Sequence, residues 1–265
     1  MNTSVLQYNQ IYNMDCLEGI TLLLDDSLDL VVTSPPYNVD LGNNKYNKNP
    51  YDIYNDNREH REYMHWLKDI FALIYYKLKV GGRVVINVGD GKNGAVPTSS
   101  DIISFMCSDL DYIPMAHIIW NKNSVGNRTA WGSFCSPSCP SFPTPFEHIL
   151  VFCKESKKLQ DKGETDLTRE EFIEWSNSMW TFAPEKNMKK IGHPAVFPEE
   201  LVKRCVKMFS WKDALVLDPF MGSGTTAKVA QSLGRRFIGF EISAEYCDIA
   251  KARLNPTECT DAHDN

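Results

Sequence analysis

Seven short apolar runs punctuate the chain, each bounded by Gly, Pro, Asn or Asp: residues 10–13, 28–33, 83–88, 116–120, 148–153, 214–217 and 237–241. Most are nearly continuous rather than alternating, the pattern of strands covered on both faces. Between them lie stretches with apolar residues at helical spacing. In 59–78, Tyr63, Trp66, Leu67, Ile70, Phe71 and Ile74 recur at that spacing. Residues 98–110, 198–209, 225–233 and 244–254 behave alike. Strands alternating with helices predict an α/β fold, a doubly wound and mostly parallel seven-stranded sheet. The connection 121–147 is rich in Ser, Pro and Asn and lacks a helical pattern. Its flanking runs are therefore expected to pair as an antiparallel edge hairpin. Three polar segments, 38–58, 121–145 and 155–190, do not fit the sheet and are read as functional insertions. They would interrupt a single domain over 1–265 that ends in an acidic tail, 256–265.

Composition changes this picture little. The 265 residues are 43% apolar and 23% charged, which is globular rather than disordered. The net charge of -6 argues at first against a polyanionic partner. The acids are unevenly placed, however. Residues 1–40 contain six acids and no Lys or Arg, and the last ten residues add three more acids. Residues 41–255 then hold 28 basic against 25 acidic side chains, so charge does not exclude nucleic acid. No run approaches the ~18 apolar residues of a membrane span, and the first residues lack a signal-peptide pattern. Eight scattered cysteines fit reduced thiols, hence a cytoplasmic protein. Cys135, Cys139, His148 and Cys153 are close in sequence but include no Cys-x-x-Cys pair, and no metal is expected.

Two motifs carry chemistry. The first runs from a buried strand through Asp218-Pro219-Phe220-Met221-Gly222-Ser223-Gly224-Thr225 into a helix. Its glycines allow close backbone approach to a ligand, and the helix start favours a negative group. Glu241, at the end of the next apolar run, stands where an acid can accept from ribose hydroxyls. Only about 40 residues follow this turn, too few for the rest of a nucleotide-binding sheet. The missing strands must precede it, so the sheet is circularly permuted. That order argues against a dehydrogenase.

The second motif is Ser34-Pro35-Pro36-Tyr37-Asn38, directly after the strand 28–33. Two prolines end the ladder and hold the backbone rigid at the sheet edge where α/β sites lie. A hydroxyl, rigid carbonyls and an aromatic face together suit a flat molecule bearing an NH2 group.

With these residues in that order, the chain resembles the S-adenosylmethionine-dependent DNA amino-methyltransferases of bacterial restriction–modification systems. More narrowly it is similar to the permuted subgroup, in which the catalytic segment precedes the cofactor turn. The likeness spans roughly 9–254 and includes the early segment Tyr12-Asn13-Met14-Asp15-Cys16-Leu17 and His193-Pro194-Ala195-Val196-Phe197. The resemblance implies a Rossmann-like fold with S-adenosyl-L-methionine as cofactor. Asp218, Pro219, Phe220, Gly222, Ser223, Gly224 and Thr225 would cradle its methionine part, with Glu241 on the ribose. Asp15 and Cys16 would lie at the adenine, though Asp15 can equally cap a helix starting near Leu17. His193, Pro194 and Phe197 would close over the cofactor, though His193 can equally be a plain helix-entry residue. Ser34, Pro35, Pro36 and Tyr37 would be catalytic. The Ser34 hydroxyl and Pro35 carbonyl would accept the amino hydrogens, and Tyr37 would stack on a base flipped from the duplex.

Family members with Ser before the prolines tend towards cytosine N4, which is favoured here. Adenine N6 is the alternative, and an RNA or protein-amide methyltransferase a remote one. The partner would be double-stranded DNA. The resemblance also allows a homodimer and a companion restriction endonuclease acting on the same site. Asn38, Lys122, Arg128, Trp131, Lys157 and Lys158 are the expected DNA contacts. Lys122, Arg128, Lys157 and Lys158 fall in 113–158, which holds five basic against two acidic residues.

Overall fold

A computed structural model of the chain describes residues 6–38, 58–123, 132–185 and 197–254. All seven expected strands form: β1 (Gln10–Asn13), β2 (Leu28–Thr33), β3 (Leu78–Val88), β4 (Ile113–Asn121), β5 (Phe146–Cys153), β7 (Leu215–Asp218) and β8 (Arg236–Glu241). An eighth, β6 (Met179–Thr181), lies inside the third insertion. The sheet order is β1-β8-β7-β2-β3-β5-β4-β6. β1, β8, β7, β2 and β3 are mutually parallel, and β5 runs antiparallel to β3 and β4. The expected hairpin is therefore present, but β6 pairs with β4 and takes the edge.

Helices cover both faces. On one side α1 (Cys16–Thr21), α2 (His60–Lys77) and α4 (Thr98–Ser108) pack on Val31, Val84 and Ile86. On the other, α6 (Glu199–Phe209), α7 (Thr225–Ser232) and α8 (Ala244–Leu254) pack on Leu30, Val32 and Val85. The neighbours Val31 and Val32 thus enter opposite cores, which explains why β2 reads as an unbroken apolar run. Helix α2 buries Tyr63, Leu67, Ile70, Phe71 and Ile74, one stripe at helical spacing. A short α3 (Gly91–Gly94) follows β3.

The third insertion is less separate from the core than its composition predicts. Asp166 accepts a bidentate pair from the Arg235 guanidinium at 2.7 and 2.8 Å. Thr168 and Glu171 form a reciprocal capping box that starts α5 (Arg169–Trp175), and Trp175 is buried against the α6 side of the core. The chain then enters β6, whose Trp180 is fully buried. Among the described residues no helix is long and apolar enough to cross a membrane.

Candidate active site

Strands β7 and β2 are adjacent and parallel, with Leu30 opposite Val216 and Val31 opposite Leu217. The chain leaving β7 crosses by α7 towards β8, whereas the chain leaving β2 crosses by α2 towards β3. The two crossovers diverge, so a crevice opens at the carboxyl ends of these strands. Thr33 Oγ1 donates to Asp218 Oδ1 across it at 2.7 Å. Asp218 also accepts from Thr226 Oγ1 at 2.6 Å and from the Phe220 N–H at 3.1 Å. Burial first, with a smaller push from Glu241, raises its carboxyl to about 6 in spite of these donors.

Beyond Asp218 the turn bends through Gly222 and Gly224, whose φ angles are 51° and 81°. This left-handed backbone turns the Gly222 N–H towards Glu241. The Gly222 N–H donates to Oε2 at 2.8 Å, and the Ser243 N–H to Oε1 at 2.9 Å. Burial raises the Glu241 carboxyl above its ordinary range. The carboxylate retains acceptor capacity after these backbone donors. Arg253, in α8, donates to the Ser223 carbonyl and hydroxyl and to the Thr225 hydroxyl at 2.6–3.2 Å. Phe220 packs its ring 5.3 Å from Trp66, a contact with α2 that the sequence does not announce.

Strand β1 lies beside β8 with Asn13 opposite Glu241, so Asp15 and Cys16 follow at the same edge. Asp15 Oδ1 accepts the Leu17 N–H at 2.8 Å and caps α1, the alternative reading of this residue. Burial first, and then Asp15, push the Cys16 thiol up to about 12. Phe197 is half-buried and packs on the α6 side of the core. His193 and Pro194 lie outside the described residues.

The Ser-Pro-Pro-Tyr segment emerges one strand away. Pro35 is buried, while Ser34, Pro36 and Tyr37 are half-buried. The Ser34 hydroxyl donates to Tyr37 Oη at 3.3 Å, and Tyr37 Oη donates to Glu147 Oε2 at 2.9 Å. Asn87 Nδ2, on β3, donates to Tyr37 Oη at 2.8 Å and to Glu147 Oε2 at 2.7 Å. Burial first, and Glu147 next, hold the Tyr37 phenol well above its ordinary range. Lys122 closes the cluster by ion pairing with Glu147, its ammonium 5.5 Å from the Trp120 ring centre. No local motif in the sequence points to Asn87 or Glu147.

The residues expected to contact DNA lie at different edges of the sheet. Strand β5 is antiparallel to β3, so its carboxyl end lies at the edge where the parallel strands begin. Lys157 and Lys158 follow that end: the Arg83 guanidinium reaches the Lys157 carbonyl, and the Lys158 backbone abuts Gly81. A six-residue strand separates this edge from Ser34 by roughly 20 Å. Both lie at the edge opposite Ser34. The first part of the third insertion lies there too, with Asp161 ion-paired to Lys79. Lys122 faces Glu147 rather than standing as an unpaired cation. The Asn38 carboxamide donates to the Arg58 carbonyl and accepts its N–H, clamping the base of the first insertion. Arg128 and Trp131 lie outside the described residues.

A permuted doubly wound sheet with a glycine turn and acid on one side of its switch point, and a diproline aromatic segment on the other, defines a class: α/β proteins with a nucleotide-cofactor turn at a sheet crevice. Comparison with known proteins gives the family. A model of the N6/N4 class described as DNA methylase matches residues 28–252, and the chain belongs to that family. It is 41% identical over 180 residues to type II methyltransferase M.MjaVI of Methanocaldococcus jannaschii, covering 64% of this chain and 88% of that one. It is 32% identical to M.BglII of Bacillus subtilis, covering 91% and 68%. Among solved structures, TTHA0409 of Thermus thermophilus, designated a DNA modification methylase and complexed with S-adenosyl-L-methionine, superposes with a TM-score of 0.70 at 28% identity, covering 92% of each chain. The cytosine-N4-specific PvuII DNA methyltransferase shares the fold at 22% identity and a TM-score of 0.69, covering 94% of this chain and 87% of that one.

Proposed function

We propose that this protein transfers a methyl group from S-adenosyl-L-methionine to the exocyclic amino group of a base flipped from duplex DNA, with cytosine N4 as the target. The observation that carries the reading is the switch point. The glycine turn and the Ser-Pro-Pro-Tyr segment leave adjacent strands at one edge, tied together by the Thr33–Asp218 hydrogen bond. A donor on one side and an amine on the other would then meet in one crevice.

S-adenosyl-L-methionine is the cofactor, and when bound it supplies an electrophilic methyl on a sulfonium. The residues present fit it. Glu241 keeps acceptor capacity for two ribose hydroxyls, and Asp15, Glu241 and Asp218 make the crevice acidic, which suits a cation. Phe220 and the turn from Gly222 to Thr225 would flank the methionine portion. On the other side, the Ser34 hydroxyl and Pro35 carbonyl would accept the two amino hydrogens. That draws the nitrogen towards tetrahedral geometry and frees its lone pair for the methyl. The nitrogen would form its N–C bond as the sulfonium S–C bond breaks, leaving a neutral thioether, and would release one amino proton to solvent. No metal or acid–base dyad is therefore needed. The Tyr37 ring would hold the flipped base by stacking.

The preference for cytosine rests on Ser34, because a neutral hydroxyl stands where other members carry Asp or Asn. Incubation with plasmid DNA and S-adenosyl-L-methionine, then mass spectrometry of the nucleosides, is expected to yield N4-methylcytosine. N6-methyladenine without methylcytosine overturns the choice of base. Ser34→Ala is expected to abolish turnover while leaving the cofactor-induced rise in Tm intact. Equal loss of both refutes the division of roles. The same reading extends to a companion endonuclease of identical site specificity and to a homodimer. Protection of methylated plasmid from cleavage would test the first, and mass measurement by light scattering the second.

A further inference from the structure

The cluster around Glu147 is more than an ion pair beside the site, because its hydrogens can be counted. An ionised carboxylate only accepts, so the Tyr37 hydroxyl must donate its single proton to Glu147. Tyr37 Oη is thereby left as an acceptor, used by Asn87 Nδ2 and by the Ser34 hydroxyl. Asn87 spends its second amide hydrogen on Glu147 itself. Lys122 holds the opposite carboxylate oxygen and keeps the charge in place. Every donor is thus directed away from Ser34 towards Glu147. The Ser34 oxygen, its own proton committed, presents only lone pairs to whatever approaches.

We propose that Glu147 is a positioning residue of the methyl-transfer site: through Tyr37 it fixes Ser34 as an acceptor for the target amine, with a negative charge two hydrogen bonds behind it. This rests on the methyltransferase reading above. An amine has hydrogens to give and, once its lone pair attacks the methyl, nothing to accept with. A serine free to rotate would present its proton part of the time and repel the amine hydrogens. The five participants come from the ends of β2, β3, β4 and β5, so the fold converges on this arrangement. The Tyr37 phenol is held well above its ordinary range, so its proton stays on oxygen throughout neutral pH.

Glu147→Gln tests the idea, because a carboxamide of the same size can donate to Tyr37 and reverse the chain. In the full protein with S-adenosyl-L-methionine and plasmid DNA, kcat is expected to fall about tenfold to a hundredfold. The cofactor-induced Tm shift and the KM for DNA should stay within about twofold. Tyr37→Phe keeps the ring but cuts the chain, and should lower kcat similarly. The double variant should be no slower than the slower single one, because both break the same link. Wild-type kcat in Glu147→Gln, or losses that multiply in the double variant, overturns the proposal. If Glu147→Gln does not fold, undiminished kcat in Tyr37→Phe overturns it instead. A wild-type protein that leaves DNA unmethylated refutes the methyltransferase reading, whereas a methylating wild type with a fully active Glu147→Gln refutes this inference alone.

Discussion

Asp218 does two jobs at the scale of one residue: it ties β2 to the glycine turn, and it stores a pH dependence. Its carboxyl stands at about 6 in the fold against an ordinary 3.8. A raised carboxyl binds more protons folded than unfolded, so its ionisation opposes folding as pH rises from about 4 to about 6. The full effect is of the order of 3 kcal/mol at most, taking roughly two pKa units. The stability of wild type relative to Asp218→Asn should therefore improve as pH falls from 7.5 to 5, measured by urea unfolding at each pH. A difference that stays flat over that window refutes the assignment. Local motifs make Asp218, Ser34, Tyr37 and Glu241 legible in the sequence, because each stands beside residues that define its geometry. Glu147 is not legible. Its partner Tyr37 is 110 positions away, and in the sequence it is a lone acid at the head of an apolar strand. The pairing of Lys122 with Glu147 is hidden for the same reason, since a sequence shows the sign of a charge but not its partner.

At the scale of elements, β2, β3, β5, β7 and β8 are legible because burial on both faces writes continuous runs. β6 is not, because three residues with one buried side chain leave no periodicity. The capping box at Thr168 and Glu171 is an available signal for α5, obscured by the polar composition around it. The glycine turn shows how tightly two elements can depend on one atom. Gly224 has φ +81°, and a Cβ there would lie 2.7 Å from Ala250 Cβ and 2.9 Å from its Cα, on α8. Gly234 has φ +70° and nothing within 4 Å of an added Cβ. Gly234→Ala should cost about 1 kcal/mol from backbone strain alone. Gly224→Ala adds crowding against backbone, for a total of about 2–4 kcal/mol. Urea unfolding of the two variants separates the contributions, and equal losses would show that the α7–α8 contact yields freely.

At the scale of the whole molecule, the net charge of -6 averages over two edges with different tasks. The carboxyl edge holds Ser34, Asp218 and Glu241, and both ends of the second insertion attach to it through Asn121 and Phe146. The opposite edge holds Lys79, Lys157, Lys158, Lys162 and Lys212, and two of these cations are internally engaged: Lys79 pairs with Asp29 and Asp161, and Lys212 with Glu164. Basic residues counted along the sequence therefore overstate what DNA can meet. A phosphate contact contributes about one unit to the slope of log affinity against log salt, whereas a cation about 20 Å away at moderate ionic strength is screened. Replacing Lys157 and Lys158 together by Ala should leave both the affinity for duplex DNA and its salt slope unchanged. Arg128→Ala, in the insertion carried by the carboxyl edge, should weaken binding and lower the slope by about one. Fluorescence anisotropy over a salt series reads both quantities. A slope that falls with Lys157 and Lys158 and ignores Arg128 would place the DNA on the other edge, away from the crevice that joins Ser34 to Asp218.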